Sequence, residues 1–202
     1  MRWDEAIEIY KVPKMYQQAE LGRCGKNMNP SDLVFIHEWL KSPEKASLYI
    51  YGGVGCGKTY LMTAIFREVI QSSLWCSYTT AYHMDMDLLM ASKGNFMNDQ
   101  GYPVSEKALL DRFQQVDVLF IDDLGTEKST DRMTQQLGAI VDTRLSNLSP
   151  TIITSNLNPT KLSEAFGERT ASRLKMYQKI AFLPLDLRQG PTKTKRGVTS
   201  PV

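Results

Sequence analysis

Eight consecutive residues, Gly52-Gly53-Val54-Gly55-Cys56-Gly57-Lys58-Thr59, follow the pattern G-x-x-x-x-G-K-[ST]. The glycines let the backbone curl until successive N–H groups converge, an arrangement that suits phosphate oxygens. The curl works between a strand and a helix, because the helix start adds free N–H groups and the positive end of a dipole. Both neighbours are present. Ser47-Leu48-Tyr49-Ile50-Tyr51 has the character of a short buried strand, and Tyr60-Leu61-Met62-Thr63-Ala64-Ile65-Phe66 that of a helix. In this setting Lys58 reaches the β- and γ-phosphates, Thr59 offers its hydroxyl to Mg²⁺, and residues 52–60, ending at Tyr60, surround the ligand. The sequence predicts binding of a nucleoside triphosphate.

The strand–helix alternation continues beyond the loop. Residues 74–78, 116–121, 151–155 and 179–183 are further strand candidates separated by helical stretches, and 33–40 is a helix introduced by Ser31 and Asp32. Short apolar runs between helices indicate a parallel sheet covered on both faces. The expected fold class is therefore α/β, a P-loop NTPase with a five-stranded parallel sheet flanked by helices. A length of 202 residues, 42% hydrophobic and 23% charged, suits one such domain. We expect residues 1–30 to form an N-terminal helix and linker, 31–187 the ATPase core, and 188–202 a basic, disordered tail. A formal net charge of +2 means that any nucleic-acid contact must come from a local patch. The three cysteines lack metal-ligand spacing, and Cys56 sits inside the phosphate loop, which fits a reducing compartment. No apolar run approaches a membrane span, so the expectation is a cytoplasmic protein without membrane contact.

Val118-Leu119-Phe120-Ile121-Asp122-Asp123 is an apolar strand ending in two carboxylates. In a P-loop protein the first is placed for Mg²⁺ and the second to polarise an attacking water, which makes Asp123 a candidate general base. The plainer reading is two acids starting a turn. Asn156, at the end of the strand over 151–155, faces the ligand crevice of a parallel sheet, where it can orient the water or touch the γ-phosphate. It also suits a simple turn before Leu157-Asn158-Pro159. Arg169 and Arg173 share one helix face by their spacing, and either stabilise transition-state charge or form a solvated basic face.

These blocks, in this order, resemble the DnaC/IstB group of AAA+ ATPases, the helicase loaders and transposition helpers of bacteria and phages. The carrying residues are the phosphate loop, Ile121-Asp122-Asp123-Leu124-Gly125, Thr151-Ile152-Ile153-Thr154-Ser155-Asn156-Leu157 and Gly167-Glu168-Arg169-Thr170-Ala171-Ser172-Arg173-Leu174. Val12-Pro13-Lys14-Met15-Tyr16 is similar to the group's linker before the core. The resemblance implies Lys58 and Thr59 as the Walker A pair, Asp122 and Asp123 as Walker B, and Asn156 as sensor 1. It implies Arg173 as an arginine finger acting in trans, with Arg169 as a companion. It further implies ATP and Mg²⁺ as ligands, an ATP-dependent homo-oligomer, and no C-terminal lid domain.

The function it implies is ATP-dependent loading of a DnaB-type replicative helicase onto single-stranded DNA during replication, in a phage- or mobile-element-encoded protein. The alternative is an IstB-like transposition helper that directs a transposase. A P-loop kinase would need an acceptor pocket and a lid that the sequence does not show. A nucleotide-regulated interaction module is the remaining rival. Residues 81–113 fall where the group inserts a helical element that touches single-stranded DNA; Lys93, Lys107, Arg112, Phe96 and Tyr102 are the available contacts, and an ordinary amphipathic helix is the plainer reading. Trp3, Ile7 and Tyr10 share a face of the first helix, which is expected to pack on the core, with helicase recruitment as the alternative.

Overall fold

The computed structural model describes residues 1–25, 27–43, 46–98, 100–125, 130–184 and 187. Five short runs, four of them rich in β-branched or aromatic residues, pair into one parallel sheet. They are β1 (Leu48–Tyr51), β2 (Cys76–Thr80), β3 (Val118–Leu124), β4 (Thr151–Ser155) and β5 (Gln178–Ala181), in the order β2-β3-β4-β1-β5. Leu48 lies between Ile152 and Gln178 and sets the central register.

Helices cover both faces. Alternate residues of β3 and β4 feed two cores: Phe120 and Ile152 join one, and Leu119, Ile121 and Ile153 the other. The first core includes residues of α1 (Trp3–Ile9), α2 (Pro30–Trp39) and α3 (Lys58–Gln71). The second includes residues of α4 (Ala81–Ser92), α5 (Glu106–Gln115), α6 (Asp131–Ser146) and α7 (Leu162–Leu174). Phe66 on α3 anchors the first core, with the rings of Trp3, Tyr10, Tyr78 and Phe120 packed around it at 5.0–6.1 Å between centroids. Full burial of one such ring contributes roughly 2–3 kcal/mol.

Five elements have boundaries that differ from the sequence expectation, and for three of them the cause is clear. The strands expected at 74–78 and 116–121 begin two residues later, because Asp117 accepts a hydrogen bond from the Trp75 N–H at 2.8 Å and holds that corner outside the ladder. The helix expected at 33–40 starts at Pro30, since Asn29 rather than Ser31 is its cap, accepting from the Ser31 N–H at 3.1 Å. The first helix after the loop runs to Gln71 rather than Phe66, and β5 ends at Ala181, beyond which Phe182 pairs with Met28.

The N-terminal segment wraps the first core. Trp3 Nε1 donates to the Gln17 carbonyl at 2.9 Å, and Tyr10 OH donates to the Cys76 carbonyl on edge strand β2 at 2.7 Å. The Trp3–Ile7–Tyr10 face is thus packed against the core. In α4, Ala81, Met84, Leu88 and Ala91 are buried at helical spacing, the pattern of an amphipathic helix lying on a sheet.

One buried charge ties the second core together. Arg144 on α6 is fully enclosed, and its Nη1 donates to the carbonyls of Phe113, Gln114 and Val116 at 2.7–3.3 Å. Its Nη2 donates to the carbonyls of Asp117 and Pro150, and its Nε to Thr151 Oγ1. Burial brings its pKa down to about 10.

Among the described residues no helical domain follows β5, and no helix is long and apolar enough to cross a membrane. The tail expected at 188–202 lies outside the described residues.

Candidate nucleotide site

The order β3-β4-β1 brings three strand ends side by side at the C-terminal rim, where ligands bind in open parallel sheets. β1 delivers the phosphate loop, β3 delivers Asp122 and Asp123, and β4 delivers Asn156. The loop leaves β1 with the Gly52 N–H bound to the Ser155 carbonyl at 3.3 Å. A side chain on Gly52 would meet Phe182 Cβ at 2.7 Å and Cys56 Sγ at 3.0 Å, so only glycine fits there. Gly57 then turns the chain into α3 with φ of 107°, a left-handed conformation that glycine adopts without steric cost.

Lys58 is 5% exposed, and its Nζ spans the rim. It donates to the carbonyls of Gly52 and Gly53 at 3.0 and 2.9 Å and to Asn156 Oδ1 at 2.7 Å. Thr59 Oγ1 donates to Asp122 Oδ1 at 3.2 Å. Asp122 Oδ1 also accepts from the Asp123 N–H at 3.1 Å and from the Thr154 hydroxyl, and Oδ2 accepts from Tyr78 OH at 3.3 Å. Burial pushes the Asp122 carboxyl above the usual carboxylate range and the Asp123 charge adds to this, while hydrogen bonds from Thr154, Thr59 and Tyr78 work against it.

Asp123 is exposed on the cavity side and has φ of 56°, unusual for a residue with a side chain. Its N–H donates to both Asp122 Oδ1 and Thr154 Oγ1, the latter at 2.9 Å, which holds the left-handed kink at the end of β3.

A cavity of about 1070 Å³ opens over these residues. Val54, Gly55, Cys56, Gly57, Lys58, Thr59 and Tyr60 line it, together with Asp122, Asp123 and Asn156. Its other walls were not read from the sequence as parts of the site. Ile9, Tyr10, Pro13, Tyr16, Gly25 and Asn27 come from the N-terminal segment, and Thr79, Thr80, His83 and Asp87 from the β2–α4 junction.

The donor set suits Mg²⁺ beside a triphosphate. A hydroxyl and one carboxylate meet at the loop, and among the described residues no cluster of three or more His, Cys, Asp or Glu forms a cage of its own. Mg²⁺ is commonly held in this way, by one or two protein oxygens and the substrate's phosphates.

Arg173 does not reach the phosphate loop of its own chain. It lies on α7 against Asp142 of α6, with Nη1 donating to the Arg169 carbonyl at 3.3 Å, and Arg169 Nη2 donates to Asp142 Oδ2 at 2.7 Å. Neither arginine lines the cavity. Of the candidate DNA contacts, Phe96 and Arg112 line the cavity and Tyr102 is 64% exposed.

Strand order, phosphate loop and paired carboxylates define a P-loop ATPase fold of the AAA+ class. The chain belongs to the family described as the bacterial DnaA ATPase domain, whose model matches residues 34–181. Its relatives include the uncharacterized protein YqaM of Bacillus subtilis, 33% identical over 64% of this chain and 41% of YqaM. The replicative helicase loader DnaC of Escherichia coli is 30% identical over 65% of this chain and 51% of DnaC, which meets the expected kinship with that group. The chain thus spans about half the length of these curated relatives or less. Among solved structures, the replication initiator DnaA bound to AMPPCP and single-stranded DNA superposes with a TM-score of 0.69 at 21% identity, covering 85% of this chain and 50% of that one.

Proposed function

We propose that the protein binds and hydrolyses ATP with Mg²⁺ and uses that cycle to load a DnaB-type replicative helicase onto single-stranded DNA. The observation that carries the reading is the hydrogen bond between Lys58 and Asn156, which joins the phosphate loop to the end of β4 in one polar rim with Thr59 and Asp122. Kinship with DnaC supports the helicase as partner, and the AMPPCP- and DNA-bound DnaA fold supports ATP and single-stranded DNA as ligands.

The triphosphate lies along residues 52–60, held by loop N–H groups. Lys58 exchanges the carbonyls of Gly52 and Gly53 for phosphate oxygens. Thr59 and Asp122 hold Mg²⁺, which neutralises phosphate charge when bound. Asp123 accepts a proton from the attacking water, and Asn156 orients that water or contacts the γ-phosphate. Arg173 of a neighbouring copy completes the site, so that ATP stabilises an assembly and hydrolysis releases it.

Binding and turnover assays test the chemistry. Lys58→Ala should lose ATP binding, whereas Asp123→Ala should bind ATP and hydrolyse it at least tenfold more slowly; unchanged turnover would remove Asp123 as the base. Capture of a replicative helicase in the presence of ATP tests the biology, and capture of a transposase instead would reverse the assignment.

A further inference from the structure

We propose that Tyr78 is a positioning residue for the metal ion: its hydroxyl pins one oxygen of the Asp122 carboxylate and so fixes how that carboxylate faces Thr59. This rests on the reading of Thr59 and Asp122 as the pair that holds Mg²⁺, and it names the group that orients one of them.

Tyr78 lies on the edge strand β2, paired in register with Phe120 of β3. Its ring stacks on Phe120 at 6.2 Å between centroids and packs against Phe66 at 5.1 Å. A phenylalanine would fill this apolar bed equally well, so the packing does not account for the hydroxyl. That hydroxyl lies at the wall of the cavity and donates to Asp122 Oδ2 at 3.3 Å. It also lies against Thr63 of α3, whose own hydroxyl donates to the Thr59 carbonyl at 2.8 Å.

The two oxygens of Asp122 are held unequally. Oδ1 accepts from the hydroxyls of Thr59 and Thr154 and from the Asp123 N–H. Among the described residues, Oδ2 accepts from Tyr78 alone. The last torsion of an aspartate is broad, so donors gathered on one oxygen leave the plane of the carboxylate free to turn. A donor on the second oxygen removes that freedom. A phenol is suited to the task because it is uncharged at neutral pH: it orients the carboxylate and leaves it a full negative charge for a cation. Groups that orient a ligating side chain from behind in this way tune metal affinity.

The test titrates Mg²⁺, and separately Mn²⁺ followed by its paramagnetic resonance signal, into wild type and Tyr78→Phe in the presence of AMPPCP. The variant loses the hydroxyl and keeps the ring. It should need roughly tenfold more of either ion for half-saturation. Its affinity for AMPPCP without a divalent ion should match wild type, and excess Mg²⁺ should restore its ATP turnover. An unchanged half-saturating concentration would overturn the proposal. An equal loss of AMPPCP affinity with and without the ion would overturn it too, since that is the mark of a merely structural role. Because Tyr78 acts through the Asp122 carboxylate, adding Tyr78→Phe to Asp122→Asn should cost nothing further, and an additive loss would count against it. Tyr78→Met takes the place of Tyr78→Phe if the latter does not fold. Failure of the underlying metal reading looks different: Asp122→Asn alone would keep the Mg²⁺ dependence of wild type.

Discussion

Thr154 holds together more of the polar rim than its residue type suggests. Its hydroxyl donates to Asp122 and accepts from the Asp123 N–H, so it fixes the carboxylate assigned to Mg²⁺ and the backbone kink that presents the assigned base. Thr154→Val keeps the shape and the strand propensity but leaves that N–H with one partner fewer. We expect ATP binding to survive and turnover to fall about tenfold, a loss of roughly 1.4 kcal/mol in transition-state stabilisation. Steady-state kinetics beside equilibrium binding checks it, and a parallel loss of both would mean that Thr154 serves folding instead. The sequence displayed Lys58, Thr59 and the two carboxylates openly, because their chemistry dictates their spacing. Thr154 was hidden in a β-branched run where threonine is an ordinary strand residue, and Tyr78 and Asn27 were hidden because their partners lie 44 and 29 positions away.

The α6–α7 pair shows how an element can carry an unused charge. Asp142 on α6 gathers both Arg169 and Arg173 from α7, and Arg169 remains 78% exposed while doing so. An exposed ion pair contributes about 1 kcal/mol or less, so Arg169 can be drawn to another anion at small cost, whereas Arg173 is only 33% exposed. If Arg173 completes a neighbour's site, Arg173→Ala should leave ATP binding unchanged and lower turnover at least tenfold. Mixing Arg173→Ala with Lys58→Ala should then restore some activity, because each supplies what the other lacks; no rescue would argue against a shared site. All five strands were legible at this scale as short apolar runs. Element ends were less so where a single side chain decided them: Asp117 holds the corner before β3, and Asn29 starts helix α2.

Across the whole molecule, Arg144 joins parts of the chain that are distant in sequence, tying the α5–β3 turn to the start of β4 from within α6. Arg144→Met fills much of the same space but strands several carbonyls in an apolar interior, each costing about 1–3 kcal/mol when unsatisfied. Urea unfolding should show a loss of at least about 3 kcal/mol. A change within error would mean that water takes over the guanidinium's bonds. Here the sequence did hold a clue: Leu137, Ile140, Val141 and Arg144 follow helical spacing, so the arginine sits on the apolar stripe of α6.

The N-terminal segment has one more consequence at this scale. Tyr10, which packs on Phe66 and bonds to the edge of β2, also lines the cavity over the phosphate loop, so the arm and the proposed nucleotide share a surface. Anything that pulls the arm from its bed must alter how tightly the nucleotide is held. By thermodynamic reciprocity, the nucleotide must then alter the grip of whatever pulls, by the same factor. The arm from Ile9 to Tyr16 is therefore a handle on what the cavity holds, and the cavity's occupant is equally a handle on that arm.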